Sequence, residues 1–218
     1  MILKIKGDIV SNDMKDIYEW FGYDCTTPGD VLTALEEMPK GDRLQVKINS
    51  GGGDVFAGQE IYSTLRGRND IDIEVEGLAA SAASVIAMAG KSTISPVGML
   101  MIHDVSASYI SGNHAQLSKQ AETLKAWDEA LASAYVEKTG KSKEEIIQMM
   151  DAETWITADK AVELGFIDAI SQAGEPVITN SIGNLKVTDE MIQQYTAEKA
   201  GIEEAKNNLL KDLDTFGA

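Results

Sequence analysis

The sequence predicts an α/β fold built on a mostly parallel sheet. Residues 2–5, 44–48 and 71–75 alternate apolar with polar or charged side chains at the period of strands. Two of these runs lead through glycine into apolar residues at helical spacing, and strands alternating with helices argue for βαβ units. The 218 residues, 44% apolar and 25% charged, suffice for one core-forming domain and an appendage.

Residues 2–5 end at Gly7-Asp8 and read as a short strand with one solvated face. Thr27-Pro28-Gly29-Asp30 supplies a stop and a helix cap before Val31, Leu32 and Leu35, and Pro39-Lys40-Gly41-Asp42 ends that helix. The strand at 44–48 runs into Asn49-Ser50-Gly51-Gly52-Gly53-Asp54, a glycine-rich loop leading to a helix that carries Phe56, Ala57, Ile61 and Leu65. The strand at 71–75 is turned by Gly77 into a small-residue apolar helix over 79–89, closed by Gly90. In a parallel sheet both junctions lie on the edge where strands end, which is where reactive groups belong.

Leu117, Ala121, Leu124, Leu131 and Tyr135 fall three, four or seven apart and predict a long amphipathic helix over 115–138. Ser142 and Glu145 form a capping box for the next helix, and Thr157 caps another that ends at Gly165. Beyond 172 the composition turns polar. Residues 173–218 read as an appendage or linker, with a possible helix over 189–213.

The charge excludes some functions. With 35 acidic and 19 basic residues the net charge is −16, which repels a phosphate backbone, so no nucleic acid is expected as partner. No apolar run reaches membrane-spanning length and the first residues do not form a signal peptide. A cytoplasmic protein without a membrane partner is expected. One cysteine, Cys25, excludes an intrachain disulfide, and two histidines make a nitrogen–sulfur zinc site hard to assemble, so no metal and no cofactor is expected.

Chemistry has few candidates. Gly51-Gly52-Gly53 lacks the lysine of a P-loop and the spacing of a dinucleotide fingerprint; it is either a tight turn or a set of N–H groups converging on an anionic oxygen. Ser81 stands at the second strand-to-helix junction among alanines that leave its hydroxyl accessible, where it either caps the helix or acts as a nucleophile. Ser84 is its rival, nearly one turn further in. A serine nucleophile needs a base within hydrogen-bond reach. His103, at the end of the strand-like segment 98–103, is a better candidate than His114, which sits in a loop before the long helix.

Four segments in this order, Ile48-Asn49-Ser50-Gly51-Gly52-Gly53, Gly77-Leu78-Ala79-Ala80-Ser81, Met101-Ile102-His103 and Thr157 through Asp168, resemble the proteolytic subunit of the Clp protease, a self-compartmentalising serine peptidase. The resemblance covers residues 1–172. It implies repeated ββα units of the ClpP/crotonase kind with a protruding handle helix, and it makes Ser81 the nucleophile and His103 the general base. Gly53 and Ala82 would donate their N–H groups to the oxyanion. The family's third member, an aspartate before the Ala-Val-Glu helix, falls on Glu153, with Asp151 as the alternative; Asp104 adjoins the base but would point away along a strand.

Other departures narrow the expectation. Gly51 replaces a proline of better-known bacterial subunits. The sequence begins at the first strand without the segment that forms axial loops, which puts partnership with an ATP-driven AAA+ unfoldase in doubt. Together with the acidic tail, these features look more like phage and prophage members known as head maturation proteases. By that resemblance the substrates are proteins or peptides, with scaffold or capsid protein as partner, and the enzyme forms homo-oligomeric, heptamer-type rings stacked through the handle. Two other readings share the fold: an acyl-coenzyme A enzyme of the crotonase type, and a catalytically silent ring that organises scaffold or capsid protein.

Overall fold

A computed structural model describes residues 1–107 and 110–172; the tail expected at 173–218, with its helix over 189–213, lies outside the described residues. The chain begins with β1 (Ile2–Ile9), whose Leu3, Ile5 and Ile9 are buried, followed by α1 (Lys15–Phe21) and the short β2 (Cys25–Thr26). The helix α2 (Pro28–Glu37) starts at a complete capping box: Asp30 N–H donates to Thr27 Oγ1, and the Asp30 carboxylate accepts from Thr27 N–H. Then come β3 (Leu44–Gly53), α3 (Val55–Leu65), β4 (Ile71–Ala80) and α4 (Ala82–Ala87). The strands β5 (Ser92–Ile94) and β6 (Met99–Ile102) precede α5 (His114–Thr139), and α6 (Lys143–Asp151), β7 (Thr154–Thr157), α7 (Ala158–Glu163) and β8 (Ala169–Ile170) complete the described chain.

The described strands form one eight-stranded sheet in the order β2-β1-β3-β4-β5-β8, with β6 pairing both β4 and β7. All pairs are parallel except β6 with β7. The α/β expectation therefore matches the structure. Ile5 pairs with Ile48 and Ile48 with Val75, so three wholly buried side chains stand in a row across the sheet.

Two expected turns are strand instead. β3 continues through Gly51 and Gly52 to Gly53, and β4 runs past Gly77 to Ala80, so the helix starts only at Ala82. The two strands stay paired across a register shift between Ile48 and Ser50, bridged by Asn49 Oδ1, which accepts from Leu78 N–H at 3.0 Å. Thr157 precedes α7 without a side-chain cap bond.

The long helix α5 divides in two. Its C-terminal half buries Ala132, Ala134 and Tyr135, but residues 114–123 are exposed throughout and Leu117 covers no core of its own. At its last turn Lys138 Nζ donates to Asp168 Oδ2 at 2.7 Å and to Gly90 O at 2.9 Å, while Ser92 N–H donates to the same carboxylate at 2.7 Å. Burial raises the Asp168 pKa, but the Lys138 ammonium and the Ser92 N–H outweigh it and the net direction is down.

This clip ties α5 to β5 and to the chain entering β8. Asp168→Asn leaves Lys138 nearly buried without its counter-charge and should cost about 1–3 kcal/mol of stability at pH 7 in urea denaturation. A carboxyl with a depressed folded pKa stabilises above its ordinary value and loses that contribution as pH falls through the folded value, so the penalty should shrink below about pH 4.

Candidate active site

The sheet register brings the two reactive side chains together. β4 and β6 run parallel with Ala80 opposite Met101, so both strands end side by side, and Ser81 N–H donates to Met101 O at 2.9 Å. Ser81 then turns the chain into α4 with φ 54° and ψ −126°, a conformation that a non-glycine residue adopts only where its surroundings impose it. His103 follows directly after β6, and its Nε2 lies 2.8 Å from Ser81 Oγ. In the tautomer protonated at Nδ1, the Ser81 hydroxyl donates to Nε2, the direction in which a general base removes the proton.

The sharp corner at Ser81 needs space beneath it. A Cβ on Gly52 would stand 2.7 Å from Ala80 O and 2.8 Å from Ser81 Cβ, so only glycine allows β3 to pass this close. Gly53, Ser81, Ala82, His103, Leu131 and Tyr135 line a common cavity of about 60 Å³. Ala82 is the first residue of α4, so its N–H has no partner within the helix.

Ser84 is fully buried and its hydroxyl is committed. It donates to Ser81 O at 2.7 Å, which leaves Tyr135 O–H as the donor in the 2.7 Å contact between Tyr135 and Ser84. Tyr135 is itself buried, and burial drives its phenol pKa far upward, so it stays a neutral donor. Ser84, the rival nucleophile, is a brace for the backbone of Ser81.

The acidic candidates are placed differently from the expectation. Glu153 makes no hydrogen bond to His103: it sits after α6 in a left-handed conformation, φ 47°, with its N–H on Met150 O, and its exposed carboxylate accepts from Trp155 Nε1 at 3.3 Å. That backbone turn sends the side chain outward. Asp151, the alternative, is exposed on the last turn of α6 and makes no hydrogen bond to the imidazole.

Two other carboxyls lie nearer. Asp104 lines the cavity with Ser81 rather than pointing away, and its buried Oδ1 has no hydrogen-bond partner. Burial, and after it the charges of Asp128 and Asp151, push its pKa up to about 6. Asp128 of α5 is buried and its Oδ1 accepts from Val105 N–H at 2.6 Å. Burial raises its pKa and Asp151 adds to the rise, against the Val105 N–H and the charge of His103.

Asp128 was legible as an anomaly. It falls between Leu124 and Leu131 in the series 117, 121, 124, 128, 131, 135, and a carboxylate on an apolar stripe asks for a partner. Among the described residues no group of three or more His, Cys, Asp or Glu is arranged to hold a metal ion. No helix among them is long and apolar enough to cross a membrane.

A serine hydroxyl held on an imidazole at a strained strand-to-helix corner, beside glycine backbone, is the equipment of a serine hydrolase. Comparison with known proteins agrees. The Clp protease family model matches residues 28–174. ATP-dependent Clp protease proteolytic subunit 1 of Streptomyces avermitilis is 36% identical over 138 residues, covering 62% of this chain and 63% of its own length. Subunit 1 of Chlamydia abortus is 33% identical over 64% of this chain and 75% of its own. Subunit 2 of Chlamydia trachomatis serovar D is 30% identical over 187 residues, 81% of this chain and 91% of its own. The chain belongs to the Clp protease family, and with it to the serine peptidases.

A carboxyl whose folded pKa is raised weakens the fold as it ionises. Stability should therefore decline as pH rises from about 4 through 6, the span between the ordinary Asp value and that of Asp104. Asp104→Asn should add about 1 kcal/mol at pH 7.5, allowing for solvent screening of a half-buried group, and nothing at pH 4. Urea denaturation at the two pH values measures the difference. Tyr135→Phe removes the brace on Ser84 and should cost about 1–2 kcal/mol by the same method.

Proposed function

We propose that the protein hydrolyses peptide bonds by acyl transfer at Ser81. His103 Nε2 takes the hydroxyl proton, Oγ attacks the carbonyl carbon, and the imidazolium returns the proton to the leaving amine. Water, activated by the same imidazole, then releases the acyl group. Gly53 and Ala82 are the proposed N–H donors to the oxyanion. The observation that carries this reading is the 2.8 Å contact between Ser81 Oγ and His103 Nε2.

The same contact favours hydrolysis over the acyl-coenzyme A reading, which needs neither residue. It also weighs against a silent ring, where a strained serine aimed at an imidazole would have no use. The finer reading is a head maturation protease that cuts scaffold and capsid proteins. It rests on resemblance to phage and prophage members, and on the departures at Gly51 and Glu153. The relatives named above are ATP-dependent subunits; for this chain an AAA+ partner stays outside the proposal. Stacked homo-oligomeric rings are supported by the exposed stretch 114–123 of α5, which covers nothing among the described residues.

Wild-type protein should react with a fluorophosphonate probe and cleave an unstructured protein such as casein. Ser81→Ala should abolish the labelling and lower cleavage by at least about a thousandfold with an unchanged circular dichroism spectrum. Cleavage by Ser81→Ala near the native rate would remove Ser81 from the chemistry. For assembly, analytical ultracentrifugation should find a species several protomers in size, and monomer alone at working concentration would end the ring reading.

A further inference from the structure

The backbone around the imidazole is pinned on both sides. Before His103, Ile102 ends β6 and pairs with Thr154 of β7. After it, the chain leaves the sheet, and the first fixed point is Val105 N–H, held at 2.6 Å by Asp128 Oδ1. His103 is the middle of this span. The pin is a carboxylate, 8% exposed, on the otherwise apolar stripe of α5. An amide or a hydroxyl would accept from Val105 as well, so the hydrogen bond alone does not account for a charge whose burial is unfavourable.

The charge has something to act on. The groups around Asp128 are Lys125 and Glu129 on its own helix, Lys143, Glu144 and Asp151 on α6, and His103 and Asp104 after β6. Lys143 lies 3.8 Å from Glu129, and Asp104, Glu144 and Asp151 are acids. The imidazolium of His103 is near enough to favour the ionised form of Asp128, while Glu153 is turned toward Trp155.

We propose that Asp128 is the positioning residue of the Ser81–His103 pair: it fixes the segment after His103 through Val105 and supplies the negative charge that steadies the imidazolium, in place of Glu153. This rests on the peptidase reading for its use in catalysis, but the coupling of Asp128 to His103 is measurable in a protein that cleaves nothing.

The test uses the full chain. It has two histidines, so the His103 imidazole resonance is identified by its loss in His103→Ala. Asp128→Asn keeps an acceptor for Val105 and removes the charge. In that variant the midpoint of the His103 titration, followed by NMR, should move to lower pH by roughly 0.5 or more while that of His114 stays, because the imidazolium has lost a counter-charge. Labelling by the fluorophosphonate probe should slow about tenfold or more. Asp128→Glu should return the midpoint toward the native one, and Glu153→Gln should leave both readings unchanged. An unmoved midpoint in Asp128→Asn, or a shift produced by Glu153→Gln instead, overturns the proposal. If Asp128→Asn does not fold, Asp128→Ser offers an uncharged acceptor, and the same two outcomes decide. Native protein that the probe does not label would refute the peptidase reading, and the His103 midpoint would still decide the role of Asp128.

Discussion

The parallel pairing of β4 with β6 is the constraint on which the site depends. Neither Ser81 nor His103 is in a regular strand, yet each is placed by one, and the register Ala80 opposite Met101 brings the two strand ends level. A slip of one residue would turn every side chain of β6 to the opposite face, so Leu100 and Ile102, both wholly buried, hold the register through the core. The apolar packing of the sheet thus sets a hydrogen-bond distance at its rim.

The strain at Ser81 is distributed over several partners. Met101 O holds its N–H, the Tyr135–Ser84 chain holds its carbonyl, and Gly52 makes room beneath it. Such a backbone conformation costs on the order of 1–3 kcal/mol, comparable to what two or three well-made hydrogen bonds contribute. The exposed angle of the hydroxyl is therefore maintained by groups that never meet a substrate.

The sheet and the candidate pair were legible in the residues because both rest on local signals: alternation for the strands, and a serine and a histidine at strand ends. What was not legible depends on partners. Gly51, Gly52 and Gly77 look like turns in isolation, but they lie in strand because β3 goes on pairing with β1 at Gly52 and Gly53, and β4 pairs with β3 and with β6 beyond its register shift. The helix α1 carries Ile17, Trp20 and Phe21 three and four apart, a short one-sided pattern, but all three are exposed, so it marks no core. Glu153 takes the aspartate's place in the sequence order, but a left-handed backbone at that residue sends its side chain outward. Asp128 could be suspected from its place in the stripe, but what it faces follows only from how α5 crosses the end of β6.

The chain between Ser81 and His103 holds α4 and β5, and β5 joins the opposite part of β4 from the one that β6 covers. Bringing the two residues together closes this intervening chain into a loop, an entropic cost met before the contact repays it. A nascent or partly collapsed copy consequently carries a serine with the feeble reactivity of any free alcohol. Whatever cutting power the finished molecule has is withheld until β6 lies beside β4, so completion of the fold doubles as a safety catch.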